Sequence, residues 1–79
     1  MNKKEFELIV ELKVKDMLPL IKDYNSSDFV NALYYLYESK LYICLSDEST
    51  KLWHLSAEKL FDMLKKEKQT NELIYPDFV

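Results

Sequence analysis

No glycine occurs anywhere in the 79 residues, and that absence limits the fold more than any residue present. Glycine takes positive φ at no steric cost, so tight two-residue hairpins and sharp re-entrant turns are expensive without it. Any such position would fall to Asn-like or Asp residues at some cost, whereas polar turns between helices can be held by Ser, Asp and Asn side chains that bond the backbone. The chain also lacks Arg and carries one Cys and one His. Together these absences remove most of the parts from which active sites are built.

A chain of this length forms one domain and buries only about 60–65% of the surface that it exposes when unfolded. Its apolar content of 48% and aromatic content of 14% are those of a folded protein. The expected fold class is mainly α, a small bundle of three to four helices spanning 1–79, with residues 70–79 an extended C-terminal tail. Glu5 and Glu7 interrupt any signal-peptide core, and no apolar run approaches the ~20 residues of a membrane span. A cytoplasmic protein without a membrane partner is therefore expected.

Between Glu5 and Tyr24 the residues Phe6, Val10, Val14, Met17, Ile21 and Tyr24 step by four and three, one stripe of an amphipathic helix. Leu8, Val10, Leu12 and Val14 also alternate with charged residues, which would suit a strand. Pro19 argues for a kink or a restart near 16–19, with Asp16 as the new N-cap. Asn25-Ser26-Ser27 reads as the turn and cap before a second helix, whose buried face would be Phe29, Leu33, Leu36 and Tyr37. Ser39 is positioned to cap a short helix through Leu45.

Ser46 to Thr50 is a polar break. The segments on either side, 41–45 and 51–55, could pair as a hairpin, giving an α+β, winged-helix-like alternative. The missing Gly counts against it, since any position with φ > 0 would fall to another residue. Ser56 opens the last helix, with Leu55 and Leu60 placed as a hydrophobic staple and Ala57, Leu60, Phe61 and Leu64 as its buried face. In the tail, Leu73, Ile74, Tyr75 and Phe78 are the candidate anchors.

The chemistry-bearing residues are few. His54 has no second His at metal-ligand spacing, and Cys44 lies in an apolar run where a free thiol serves as a small hydrophobe. Asp47 and Glu48 lack the alternating ligands and central Gly of a calcium loop. No catalytic residue, metal or cofactor is assigned. The net charge of −3, with all eleven cations Lys and none forming a stripe, makes nucleic acid an unfavoured partner.

Tyr34, Tyr35, Tyr37, Tyr42 and Trp53 exceed what a thin core can absorb, and Tyr and Trp dominate the energetic centres of protein interfaces. With Asp47, Thr50, Lys51 and His54 they are the candidates for a protein-interaction surface. A homodimer is a further option, since joining two aromatic faces would cover surface that one chain cannot.

From Tyr37 onward the chain resembles a small family of uncharacterised helical proteins common in clostridia and related gut bacteria. The residues that carry the likeness are Tyr37-Glu-Ser39, Leu41-Tyr42 and Leu45, then Asp47-Glu48-Ser-Thr50-Lys51-Leu52-Trp53-His54-Leu-Ser56, Leu60-Phe61-Asp62, Glu67-Lys-Gln-Thr70 and Ile74-Tyr75-Pro76. Asn71 stands where Gly is expected after Thr70, and Pro19 interrupts the first helix. The resemblance implies a small helical protein with no assigned activity, encoded in defence or toxin–antitoxin neighbourhoods. It points to an interaction module, with an accessory or antitoxin-like partner of a toxin or defence enzyme as its sharpest form. A DNA-binding winged-helix regulator and a phage-type small inhibitor are the alternatives.

Overall fold

The computed structural model describes residues 1–76, so Phe78 lies outside the described residues. Four helices, α1 (Lys3–Asn25), α2 (Phe29–Tyr37), α3 (Lys40–Leu45) and α4 (Ala57–Thr70), enclose one apolar core. Two 3₁₀ turns, Glu48–Thr50 and Leu52–His54, connect α3 to α4. The expected mainly α bundle of three to four helices is the fold observed.

α1 begins before its apolar stripe does, because Asn2 caps it: the Asn2 Oδ1 accepts from the Glu5 N–H at 2.8 Å, and the Glu5 carboxylate accepts from the Asn2 amide. The helix then runs through Pro19 as one element, and Asp16 is mid-helix and exposed, not an N-cap. Pro19 and Lys15 both face solvent, so water can serve the Lys15 carbonyl that Pro19 leaves without a partner. Val10, Val14, Met17 and Ile21 of the expected stripe are buried, joined by Leu18.

The turn into α2 is built differently from the expectation. Ser26 takes left-handed geometry at φ 52 and Asp28, outside the Asn25–Ser27 cluster, is the N-cap, accepting from the Asn31 N–H at 2.9 Å. The buried face of α2 is Ala32 and Leu36, whereas Phe29 and Tyr37 are exposed. The helix is rotated by about 60° from the expected stripe, because small Ala32 lets α2 sit close against the core.

The hairpin alternative is corrected: residues 41–45 are helical, 52–54 form a 3₁₀ turn, and no strand occurs among the described residues. Leu41 and Leu45, one helical turn apart, are both fully buried, a spacing that a strand could not place on one face. All three N–H groups of the first turn of α3 are paired. The Ser39 hydroxyl accepts from the Tyr42 N–H at 3.0 Å, and the Glu67 carboxylate of α4 accepts from the Lys40 and Leu41 N–H groups, each at 2.9 Å.

Ser56 caps α4 by accepting from the Lys59 N–H at 3.1 Å. Ala57, Leu60 and Leu64 are buried as expected, with Met63 added and Phe61 half-buried. Thr70, assigned above to the tail, is the last residue of α4, and Asn71 ends the helix at φ 62 where a glycine would usually sit. Beyond it Leu73 packs against the core, whereas Ile74 and Tyr75 are exposed. α1 and α4 run parallel, since Phe6 meets Trp53 just before α4 and Tyr24 meets Phe61 further along it.

Candidate interaction surface

The nine candidate residues do not form one site. Asp47, Thr50, Lys51 and Trp53 build the connection between α3 and α4. Asp47 accepts from both the N–H and the hydroxyl of Ser49, at 3.0 and 2.7 Å, and these bonds hold its carboxyl below the ordinary carboxylate range. The Thr50 hydroxyl lies 2.7 Å from the Cys44 carbonyl and 2.9 Å from that of Asp47. Lys51 takes the left-handed bend between the two 3₁₀ turns at φ 61.

Trp53 is half-buried and ties this connection to α1. Its indole N–H donates to the Glu48 carbonyl at 3.0 Å, and its ring meets Phe6 edge-on with centroids 6.2 Å apart. His54 is exposed and stacked on Trp53 at 3.9 Å. It has no carboxylate or thiol partner among the described residues, where no group of three metal-ligating side chains comes together either.

Tyr35 faces α4. Lys68 Nζ lies 4.8 Å above its ring, and burial, then the neighbouring Tyr24 and Glu67, push its phenol above the ordinary value. Tyr34 points outward, whereas Tyr37 stacks on Tyr42 with centroids 4.7 Å apart. Of the nine candidates, Tyr34, Tyr37 and Tyr42 are therefore the ones that combine accessibility with neighbouring apolar surface.

That surface centres on α2. Its nine residues, Phe29-Val-Asn-Ala-Leu-Tyr-Tyr-Leu-Tyr37, include no charged side chain. Helices apolar on every side are normally buried on every side, yet Phe29, Val30, Tyr34 and Tyr37 are 54, 56, 59 and 47% exposed. With a full aromatic side chain presenting 150–250 Å², these four leave roughly 400 Å² of apolar surface on one short helix. The helix carries two open stripes. Val30 and Tyr34 face straight out, and Phe29, Leu33 and Tyr37 form one wall of a groove.

The opposite wall of the groove is α1. Val10, Val14 and Leu18 line it from α1, and Tyr42 closes one end. Adjoining depressions extend it toward Lys22 and Asp23 at one end and toward Phe6 and Glu7 at the other. From Glu7 to Lys22 the groove follows α1 for about 22 Å. Phe29, Val30 and Leu33 were not among the candidates, although the charge-free run from Phe29 to Tyr37 could have found them; Glu11 and Lys15, also missed, carry no such signal.

Among the described residues no helix is long and apolar enough to cross a membrane. Comparison with family models, with curated proteins and with solved structures returns no match for this chain.

Proposed function

We propose that this chain is a protein-interaction module whose contact surface is the open side of α2. The observation that carries this reading is the charge-free sequence of α2 combined with its exposure. An apolar patch of this size is comparable to the largest patch on an ordinary monomer, which is often a functional surface. Val30 and Tyr34 supply the outward anchor, and Tyr contributes large contact area with little rotamer entropy to lose. The acidic balance of the chain would steer a basic partner toward it.

The neighbourhood implied by the resemblance makes a toxin or defence enzyme the first partner class to test. DNA binding is the weaker alternative, because α2 has no cation to meet a phosphate and the region expected to form a wing is helical. The test is affinity capture from the native host, comparing the native chain with Tyr34→Lys after its helix content has been checked by circular dichroism. A protein retained by the native chain and lost by the folded variant supports the reading. Equal retention by both, or recovery of nuclease-sensitive nucleic acid alone, refutes it.

A further inference from the structure

We infer that the groove between α1 and α2 is the contact face of a two-fold symmetric homodimer. The inference rests on the reading of α2 as an interface, but it concerns the stripe Phe29–Leu33–Tyr37 and leaves Val30 and Tyr34 for a second protein.

The argument begins with the order of charge along the α1 edge of the groove. Glu7, Glu11, Lys15 and Lys22 line it in sequence, at spacings of four, four and seven residues that keep them in one row. The first half of the row is acidic and the second half basic. A parallel second copy would set like charges against like. An antiparallel copy centred near residue 14 instead sets Glu11 beside Lys15 of the second copy and Glu7 beside its Lys22, each within about 2 Å along the axis. Two-fold symmetry makes every pair occur twice. Asp23, at the open end of the groove, then falls level with Lys4 of the second copy.

The other wall of the groove has the same symmetry. Phe29 lies at the Leu18–Asp23 end of the groove, and Tyr37 stacks on Tyr42, which borders Phe6, Glu7 and Val10 at the other end, so α2 runs antiparallel to α1 and its midpoint, Leu33, lies between the two ends of the charge row. The two-fold axis that matches the charges therefore also sets Phe29 against Tyr37 of the second copy and Leu33 against Leu33. A charge row that reverses sign about its centre and an apolar stripe that is symmetric about its own centre share one axis. On the far side of the row Leu8 and Leu12 are exposed on α1, and the same axis brings them against their counterparts.

The groove residues are free to make these contacts. Glu11, Lys15 and Lys22 form no salt bridge among the described residues, and the one contact of Glu7, to Lys3 at 4.0 Å, is long and solvent-exposed. Phe29 and Tyr37, roughly half of the exposed apolar surface of α2, fall well short of the roughly 800 Å² per partner of a standard stable interface, so Leu8, Leu12 and the aliphatic stems of the charge row must be covered as well.

The test uses sedimentation velocity across the micromolar range on the full chain and on two charge variants whose helix content is first confirmed. One variant carries Glu7→Lys and Glu11→Lys, so its row is entirely basic; the other carries Lys15→Glu and Lys22→Glu, so its row is entirely acidic. The native chain is expected to sediment as a dimer of the 9.5-kDa chain, each variant to dissociate with a dissociation constant raised by at least about tenfold, and an equimolar mixture of the two to form a heterodimer. A monomeric native chain overturns the inference and leaves the α2 reading to its own capture test. A native dimer that both variants preserve, but that Tyr34→Lys disrupts, also overturns this geometry while supporting α2 as an interface of another kind.

Discussion

Glu67 is the single side chain whose removal should damage the fold most for its size. It lies on α4 and is only 6% exposed, and its two carboxylate oxygens accept from the Lys40 and Leu41 N–H groups, each at 2.9 Å. A six-residue helix cannot hold its own first turn, because nucleation is unfavourable at that length. α3 is therefore helical in part because α4 caps it. Replacing Glu67 with Ala removes two charge-assisted hydrogen bonds, of about 1.5–3 kcal/mol each at full value. Water can take over at the exposed Lys40, whereas Leu41 is completely buried, so its N–H loses its partner outright. The expected destabilisation of Glu67→Ala is about 2–4 kcal/mol, a large share of the roughly 4–12 kcal/mol available to a chain of this length. Glu67→Gln keeps one acceptor oxygen and should lose about half as much. Urea denaturation followed by far-UV circular dichroism and by Trp53 fluorescence measures both variants. A Glu67→Ala chain within 0.5 kcal/mol of the native one, a margin typical of a surface substitution, would refute the capping argument.

Three further predictions follow from the connection and the tail. Lys51→Gly relieves left-handed backbone at φ 61 but adds freedom to the unfolded chain, so it should stabilise by about 0.5 kcal/mol, whereas Lys51→Val should destabilise by about 1–2 kcal/mol in the same urea assay. Trp53→Ala should destabilise by about 2 kcal/mol through loss of the Phe6 contact and the Glu48 hydrogen bond, while Tyr34→Ala should change stability by less than about 0.5 kcal/mol. Tyr75 is pushed up to about 12, chiefly by its hydrogen bond to the Cys44 side chain, then by burial and by the charges of Cys44 and Asp47. Because its folded value is raised, the stability that it contributes is fully present below the unfolded value near 10 and is lost as pH rises through the folded one. Absorbance titration of tyrosinate should therefore find one phenol ionising last in the native chain, and Cys44→Ala should return it toward 10.

Much of the fold was legible because its signals are local. Ser56 and Ser39 are capping side chains at the starts of their helices, and the Val10–Ile21 stripe has a polar side to contrast with. α2 was misplaced in rotation because it has no such contrast: with apolar residues on all sides, periodicity cannot say which of Phe29, Ala32 or Tyr37 faces inward. Glu67 was hidden for a different reason. It stands in a lysine-rich helix end that reads as solvated surface, and its partners are 26 and 27 residues away, beyond the reach of any spacing rule. The segment from Asp47 to Trp53 looked like a functional cluster because several polar and aromatic residues crowd together, and most of their bonding capacity goes into shaping a connection that has no glycine. The groove was not legible at all, since it exists only where α1 and α2 lie side by side.

The parallel packing of α1 on α4 also sets the order in which the molecule can be made. The apolar stripe of α1 leaves the ribosome early, but the helix that runs beside it is about fifty residues further along the chain. At ordinary synthesis rates that interval is about 3–10 s, during which Val10, Val14, Met17 and Ile21 have only α2 and α3 to cover them. The core therefore cannot be completed before α4 has been made, and until then the nascent chain leaves open part of the stripe that the finished protein conceals.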